Sequence, residues 1–401
     1  MRIETVAPVE RQERLVPEWS RLLEEAVTPE IFLSPEWILA WTRHFGDARE
    51  SFLITARDDA GALVGLAPLR RRRLGPRALR GPSVLSFLGD QGVGSEYLGV
   101  LARESAERDF LAGLARELKG EWALADLRGL RKDRPSTDLL VRSLGDRSEA
   151  RIHRERIPCS SVALPGDYEA YLASLATKFR TTLRYRTNKL VKNFKVNLVR
   201  TTREDELDGH LARFFEMHQG RWVAEGHAGS FYHPRKRAFY TEVAEGFLRR
   251  GWLRFYHLEV DGVIRAAQFG FAFGGVLHSL QEAFDVAFRP QGVGGVGVVL
   301  RGMAIRESIA EGLQAYDFLG GTEDFKTRWG TRTHEVEQVR IGAPGPLGGF
   351  AYLCTAGWRD AKLWVRARLP KRIVEARDRF RVRRQARRAQ ALSAGVQETD
   401  R

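Results

Sequence analysis

Segment 289–295 combines an arginine with closely spaced glycines between a strand-like and a helix-like stretch. The N-terminus of a helix has unpaired amides and a partial positive charge, and glycines let a backbone approach an anion closely. An adjacent arginine adds a charge-assisted contact. We therefore predict a pyrophosphate seat made by Arg289, Gln291, Gly292, Val293, Gly294 and Gly295. The alternative is a tight strand-to-helix turn that holds no ligand.

The predicted strand 276–284 leads into this turn and carries two candidate proton acceptors. Because side chains alternate along a strand, His278 and Glu282 lie on the same face. Either side chain could accept a proton from an amine, directly or through water. The alternatives are an ion-paired rim carboxylate for Glu282 and a core or surface histidine for His278.

Asp317 ends the next predicted strand, just before Gly320 and Gly321. A carboxylate above a glycine turn is well placed to contact a ligand, although it could equally cap the short helix that follows or fix the loop. Lys326 on that helix could reach a phosphate or an anionic acceptor. As a solvated charge, Lys326 needs no functional explanation.

The rest of the second half has a regular pattern of helices and strands. Turn signals at Asp261-Gly262 and Gly274-Gly275 predict hairpins between its central strands. The predicted helices span 167–193, 204–223, 234–250, 295–312 and 322–329, and the predicted strands span 195–200, 252–260, 263–273, 276–284, 315–319 and 334–341.

The first half has a similar order of elements. Ser34-Pro35 is typical of a helix start, with a capping hydroxyl followed by proline at the first helical position. The predicted helices span 10–26, 103–119 and 135–144, and the predicted strands span 1–7, 51–57, 62–72, 83–88, 96–101, 122–127 and 151–157. The shared order indicates a structural duplication.

We therefore predict an α/β (α+β) fold with two tandem domains, each a mixed, mostly antiparallel sheet flanked by helices. The predicted division is 1–160, 161–345 and a basic helical tail at 346–401. The net charge of the 401-residue chain is +14. Residues 356–393 hold 13 Lys and Arg against three Asp and Glu, so most of the basicity belongs to the tail. The charge therefore does not indicate that the whole protein binds nucleic acid.

Neither a spanning apolar run nor a signal-peptide pattern occurs in the sequence, which predicts a cytoplasmic protein. Tryptophans beside the arginines of the tail suit peripheral contact with an anionic inner membrane. A mobile solubilising tail or RNA binding are the alternatives. The two cysteines, Cys159 and Cys354, lack metal-site spacing, so we expect reduced core thiols and no metal.

Residues 170–203 contain no Asp or Glu but nine Lys and Arg. Most of these charges lie on the predicted helix 167–193, which we call the basic helix. An exposed face of the basic helix could bind phosphate, RNA or an anionic glycan precursor, or it could simply be solvated. Aromatic residues do not interleave the positive charges as stacking on single-stranded RNA would require. RNA is therefore the less favoured partner.

Three segments together resemble the CelD-like (CelD/BcsL-type, cellulose-biosynthesis) branch of the GNAT acetyltransferase superfamily, which is related to the Fem-type aminoacyl transferases. The segments carrying the resemblance are Phe32-x-Ser34-Pro35-Glu36-Trp37 with Gly65-Leu66-Ala67-Pro68-Leu69, the basic helix from Leu175 to Leu190, and Asp317-Phe318-Leu319-Gly320-Gly321 with Phe325-Lys326-x-x-Trp329-Gly330. The likeness covers about 30–345. One departure is Phe325, where the family signature usually has tyrosine; Tyr316 is a nearby substitute if its side chain faces the cleft.

The resemblance implies an N-acyltransferase that moves an acetyl or other acyl group from acyl-CoA to an amine. It implies direct attack of the amine on the thioester, with backbone amides holding the carbonyl oxygen. The implied acceptor is an amino sugar or another precursor of envelope polysaccharide. The alternatives are a Fem-like transferase that uses aminoacyl-tRNA and a catalytically silent scaffold. The sequence leaves the oligomeric state open.

Overall fold

The structure is a computed structural model that describes residues 1–74, 81–90, 92–145, 150–224, 229–321 and 323–353. These residues fold into two compact units. Unit 1 contains Met1–Ala163, Phe273–His278 and the described residues from Asp317 onward, whereas unit 2 contains Leu164–Ala272 and Ser279–Tyr316. The division at 160 and 345 stays a prediction, and the basic part of the tail with Cys354 lies outside the described residues.

The first half begins with a strand and three helices, then forms a meander. Ser34 caps the third helix by accepting a hydrogen bond from the Trp37 amide, as the Ser-Pro pattern predicts. The strands are β1 (Arg2–Val6), β2 (Ser51–Arg57), β3 (Leu63–Arg73), β4 (Ser83–Phe87), β5 (Leu101–Ala102), β6 (Leu124–Arg131) and β7 (Arg151–Ala163). The helices are α1 (Val9–Glu13), α2 (Val16–Glu25), α3 (Pro35–Phe45), α4 (Glu107–Glu117) and α5 (Pro135–Gly145), with 3₁₀ turns at Ile31–Leu33 and Glu104–Ala106.

The second half has a similar order, but two helices precede its first strand and two helices, instead of three, follow it. The helices are α6 (Tyr168–Ser174), α7 (Thr177–Asn193), α8 (Glu204–Ala224), α9 (Pro234–Arg249), α10 (Gly297–Ala310) and α11 (Asp324–Thr327). The strands are β8 (Val196–Arg200), β9 (Leu253–Val260), β10 (Val263–Phe273), β11 (Val276–Phe284), β12 (Ala315–Gly320) and β13 (Arg332–Gly342). In each half a three-strand meander is followed by helix, strand, helix and strand.

The sheet of unit 1 has the strand order β1-β2-β3-β4-β6-β13-β7, and β5 pairs with β3. Its pairs are antiparallel except for β4 and β6, which run parallel and pair at Val84–Leu124 and Leu85–Ala125. Strand β13 lies between β6 and β7, so the last strand of the second half completes the sheet of the first.

Strands β8, β9 and β10 form an antiparallel sheet in unit 2. Phe214 on α8 packs against Phe231, Phe255 and Phe269, with ring centroids 5.5 to 6.1 Å apart. Burying aromatic rings at these separations supplies much of the apolar stabilisation of a small unit. The aromatic cluster therefore anchors helix α8 to the sheet of unit 2.

The predicted fold class, mostly antiparallel sheets flanked by helices, is confirmed. Several predicted elements are wrong in extent, including the strand predicted at 151–157, which continues to Ala163. The helix predicted at 10–26 is two helices, because Pro17 cannot continue a helix from the preceding turn. The helix predicted at 167–193 breaks at Leu175, which is extended (φ −77°, ψ 150°) and buries its side chain. The strand predicted at 96–101 is reduced to β5, because Tyr97 has a φ of 51° that no strand accommodates.

Among the described residues, no helix combines the length and the apolar character that crossing a membrane requires.

Candidate functional site

The turn between β11 and α10 alternates buried and exposed residues. Val293 and Val296 are buried, at 1% and 2% exposure, and anchor the turn to unit 2. Gly292 and Gly294 are exposed and have φ angles of 75° and 69°, in the region that favours glycine. A Cβ at Gly297 would overlap the Phe284 ring, so glycine there lets α10 pack closely on β11. The spacing of glycine and valine thus fixes the turn and leaves its glycine backbone accessible.

The amides of the turn are largely unused. The Val293 amide donates to the Pro290 carbonyl over 3.1 Å, and the Leu300 amide closes the first turn of α10 on the Val296 carbonyl. The amides of Gly292, Gly294 and Gly295 have no hydrogen-bond partner among the residues that the structure describes. Exposed amides in a glycine turn that leads into a helix are suited to bind an anion.

Two basic side chains of α7 lie on this turn. A Cβ at Gly292 would collide with the Lys189 ammonium group, and one at Gly294 would lie 3.6 Å from the guanidinium carbon of Arg186. In the sequence the basic helix and the glycine turn are separate features. Nothing in the sequence predicts that these residues, about 100 positions apart, are in contact. The absence of Asp and Glu from 170–203 was the one pattern that indicated an anion-binding role for the helix.

The other two predicted members of the seat are exposed. Arg289 donates from Nε to the Val286 carbonyl over 3.2 Å, which holds its side chain beside the turn. Gln291 is exposed at the turn itself. The six predicted seat residues therefore share one solvent-facing turn, but Lys326 belongs to a different unit.

Glu282 is held by a buried cation. Arg301 on α10 is 6% exposed and donates from Nε to Glu282 over 2.9 Å, with a second short contact between the two side chains. Burial would lower the pKa of Arg301, but the Glu282 carboxylate more than compensates and raises it. Glu282 is therefore an ion-paired carboxylate whose oxygens contact the Arg301 guanidinium.

Tyr316 is fully buried, and its hydroxyl donates to Gln268 Oε1 over 2.6 Å. Burial, together with the nearby Glu282 carboxylate, raises the pKa of Tyr316. This hydroxyl therefore lies inside unit 2 and holds its proton tightly.

Asp317 and His278 come together in unit 1, in a group that we call the Asp317 cluster: Asp317, His278, Tyr97 and His334. The Tyr97 hydroxyl donates to Asp317 Oδ2 over 2.6 Å and lies 2.8 Å from His334 Nε2. Because the hydroxyl has one proton, His334 donates to it through Nε2. His278 Nδ1 lies 3.7 Å from Asp317 Oδ2.

Two strained backbone positions flank the Asp317 cluster. Tyr97 and Leu319 have φ angles of 51° and 58°, unusual for residues other than glycine. The Leu319 amide donates to Asp317 Oδ1 over 2.7 Å. Burial alone would raise the pKa of Asp317, but His278, Tyr97 and this amide together lower it. Strain of this kind persists where the surrounding contacts over-determine the conformation.

Two further buried carboxyls lie near the cluster. Burial raises the pKa of Glu30 to about 7, although Arg131 Nη1 lies 3.4 Å from Glu30 Oε1. Burial and the charge of Asp317 raise the pKa of Glu96 to about 7. The Arg131 guanidinium also lies 5.0 Å from the centroid of the Tyr97 ring. Unit 1 thus contains several buried titratable side chains close together, and the sequence pattern did not predict that they would be neighbours.

Lys326 binds backbone carbonyls at the end of β12, and it is not part of the glycine turn. Its ammonium donates to the carbonyls of Phe318 and Gly320 over 3.2 and 2.6 Å and pairs with Glu323 at 3.0 Å. Phe325, where the family signature has tyrosine, is 42% exposed. No group of three or more His, Cys, Asp or Glu suited to a metal ion occurs in the part of the chain that the structure describes.

Residues 177–327 match the family model described as an acetyltransferase (GNAT) domain. The matched range begins with α7 and includes the glycine turn, β12 and α11. It supports an acyltransferase, whereas the CelD-like branch stays a prediction. No curated protein sequence gave a significant match.

Solved structures share the fold at low sequence identity. The crystal structure of FemX is 10% identical, with a TM-score of 0.57, and the alignment covers 84% of this chain and 97% of FemX. The C-terminal domain (DUF2156) of a putative lysylphosphatidylglycerol synthetase from Agrobacterium fabrum is 10% identical, with a TM-score of 0.51, over 85% and 96% of the two chains. L-PGS from Bacillus licheniformis is 12% identical, with a TM-score of 0.50, over 85% and 95%.

The two units divide the predicted site residues into two groups. The predicted seat, apart from Lys326, is a single exposed turn of unit 2. Of the predicted catalytic residues, Glu282 and Tyr316 belong to unit 2 and are engaged by Arg301 and Gln268. His278 and Asp317 belong to the buried cluster of unit 1.

Proposed function

We propose that the protein is an N-acyltransferase that moves an acetyl or other acyl group from acyl-CoA to an amine. The observation that supports this most strongly is the exposed turn at Gly292–Gly294–Gly295, whose amides have no partner among the described residues. The pyrophosphate of a CoA donor is an anion of suitable size for such a turn. The GNAT-domain match over 177–327 agrees with this donor.

The proposed reaction is direct aminolysis of the thioester. The amine nitrogen attacks the carbonyl carbon, a C–N bond forms, and the C–S bond breaks. The amine gives up one proton, and the departing thiolate takes one up. Holding donor and acceptor in a reactive geometry supplies much of the rate enhancement for such a step.

The reaction needs a group that accepts the proton of the amine. We propose His278 for this role, with Asp317 as the carboxylate that stabilises its protonated form. The distance of 3.7 Å between His278 Nδ1 and Asp317 Oδ2 supports this assignment. The alternative acceptor, Glu282, is already paired with Arg301. His278→Asn should lower kcat. A larger loss of kcat in Glu282→Gln than in His278→Asn would reverse the assignment.

The proposed acceptor is an amino sugar or another amine-bearing precursor of envelope polysaccharide, by similarity to the CelD-like branch. A cytoplasmic location, with peripheral membrane contact through the basic tail, belongs to the same proposal. A panel of amino sugars and simple amines, assayed for release of free CoA thiol, tests the acceptor class.

The donor is tested by calorimetric titration of the full chain with acetyl-CoA. We expect saturable binding and a rise in Tm, because a ligand that binds the folded state stabilises it. Gly294→Glu should abolish both, since it places a carboxylate where phosphate would bind. Gly274→Glu, at an exposed hairpin glycine that also has a positive φ, is the matched control for backbone strain. Unchanged acetyl-CoA binding in Gly294→Glu would contradict the proposal.

A second candidate is transfer of an aminoacyl group from charged tRNA. The exposed basic residues of α7 favour it, because Lys178 and Lys192 present positive charge to solvent. The shared fold with FemX is compatible with it. Tm measured with charged tRNA against acetyl-CoA separates the two: a rise with tRNA alone supports the second candidate.

A further inference from the structure

The tetrapeptide Gln-Gly-Val-Gly occurs twice in the chain, at 91–94 and at 291–294. Each copy follows the third strand of a meander, β4 in the first half and β11 in the second. The first and second glycines have φ angles of 76° and 88° in the first copy and 75° and 69° in the second. Val93 and Val293 are both buried, at 0% and 1% exposure. The Gly-Val-Gly part of the turn therefore has the same backbone pattern in both copies, in two different surroundings.

In unit 2 the surroundings of the turn are cationic. Lys189 lies on Gly292 and the guanidinium of Arg186 lies near Gly294. Neither cation forms an ion pair with a carboxylate within the described ranges. Lys189 does contact the Tyr185 hydroxyl at 3.2 Å. Two cations without counter-ions, lying against exposed amides, favour an anionic ligand.

In unit 1 the surroundings of the same turn are acidic. Asp90 precedes it and Glu96 follows it, in positions where the second copy has Pro290 and Val296. Asp90 is paired with Arg128 at 3.6 Å. The Ser95 hydroxyl donates to the Gly89 carbonyl over 2.6 Å and accepts from Trp37 Nε1 over 2.9 Å, so it is already engaged. A phosphate here would meet carboxylates instead of free cations.

We infer that Arg186 and Lys189 of α7 bind the phosphate groups of a ligand seated on the 292–295 turn. The turn of unit 1 that repeats the Gly-Val-Gly sequence binds none, so the chain holds one such ligand. Identifying the phosphates as those of an acyl-CoA donor rests on the proposed function. The phosphate clamp itself, defined here as Arg186, Lys189 and the 292–295 turn, needs only an anionic phosphoryl ligand.

The decisive measurement is calorimetric titration of the full chain and its variants with acetyl-CoA and, separately, with inorganic pyrophosphate. Lys189→Ala and Arg186→Ala should each weaken binding about tenfold, the usual effect of losing one charge-assisted phosphate contact. Lys192→Ala, on the exposed side of the same helix, is the matched control and should change affinity less than about twofold. Lys189→Arg should restore most of the affinity.

The duplicated turn supplies a second control. Gly294→Glu should abolish binding of both probes, whereas Gly94→Glu should leave affinity and a stoichiometry of one unchanged. Thermal melts show whether each variant is folded. If a variant is unfolded, pyrophosphate binding to the unmodified chain is measured at several salt concentrations instead. An affinity that does not depend on salt overturns the clamp.

The possible outcomes separate the clamp from the proposed function. Pyrophosphate binding that depends on Lys189, without any consumption of acetyl-CoA, supports the clamp and contradicts acyl transfer from CoA. Acyl transfer with an unchanged KM in Lys189→Ala and Arg186→Ala supports the function and overturns the clamp. A stoichiometry of two, or equal losses in Gly94→Glu and Gly294→Glu, overturns the inferred difference between the turns.

Discussion

The glycine turn of unit 2 and the Asp317 cluster of unit 1 place polar groups in opposite electrostatic situations. In the turn, cations and amides face solvent without counter-charges among the described residues. In the cluster, one carboxylate is buried at 3% exposure and contacts a tyrosine hydroxyl, a backbone amide and a histidine. The turn therefore suits the anionic ligand that we propose, whereas the contacts of the cluster are formed without any ligand.

The backbone shows the same contrast. Positive φ angles in the turn fall on glycines, which tolerate them at little cost. In the cluster they fall on Tyr97 and Leu319, where each costs on the order of 1–3 kcal/mol. Hydrogen bonds to Asp317 must offset that strain. Substitutions in the cluster should therefore change stability first, and substitutions in the turn should change binding first.

Removing the central carboxylate should have the largest effect. Asp317→Ala leaves the Leu319 amide and the Tyr97 hydroxyl without their acceptor, so we expect about 3–5 kcal/mol less stability at pH 7. Urea unfolding measures this, with the exposed Asp109→Ala as control. Because the folded-state pKa of Asp317 is lowered, its contribution is present at neutral pH and lost as the pH falls through that pKa. A difference below about 1 kcal/mol at pH 7 would show that the cluster does not stabilise unit 1.

The buried carboxyl of Glu30 should give the next largest effect, with the opposite sign. Its folded-state pKa is raised to about 7, so the unmodified chain should lose stability as the pH rises from about 4.5 through 7. Glu30→Gln removes this dependence on pH. Between pH 4.5 and pH 8, the free energy of unfolding of the variant should therefore rise by up to about 3 kcal/mol relative to that of the unmodified chain. Urea unfolding between pH 4.5 and pH 8 tests it; parallel pH profiles for both proteins would contradict the prediction.

Removing a single hydroxyl from the cluster should have a moderate effect. Tyr97→Phe keeps the ring and deletes the hydroxyl shared by Asp317 and His334, so we expect a loss of about 1–2 kcal/mol. Tyr232→Phe, at an exposed tyrosine, is the matched control. If both variants melt at the same temperature, the hydroxyl contributes nothing to the cluster.

The smallest stability effect should come from the first glycine of each turn. Gly92→Ala and Gly292→Ala both force alanine into a positive φ, and each should cost about 1 kcal/mol. A Cβ at Gly92 meets open space, whereas one at Gly292 collides with Lys189. Pyrophosphate affinity should therefore fall in Gly292→Ala alone. An equal loss in both variants, or in neither, removes the contrast between the two turns.

Sequence periodicity predicted most of the fold because each half keeps its helical and strand patterns in order. The misassigned segments have local causes, such as Pro17 and the extended Leu175. For the site, glycine spacing predicted the turn, because positive φ angles and closely spaced glycines are local properties. The pairing of Glu282 with Arg301 could not be predicted, because it depends on how α10 packs against β11.

Local sequence was sufficient to specify where the chain turns, which strands alternate and which helix lacks acids, since these properties depend on neighbouring residues. Only packing in three dimensions places Lys189 on Gly292, brings Tyr97 to Asp317, and inserts β13 into the sheet of unit 1. These contacts join residues 100 to more than 200 positions apart, and no local pattern specifies them. They form because burying the apolar faces of the elements brings distant segments together.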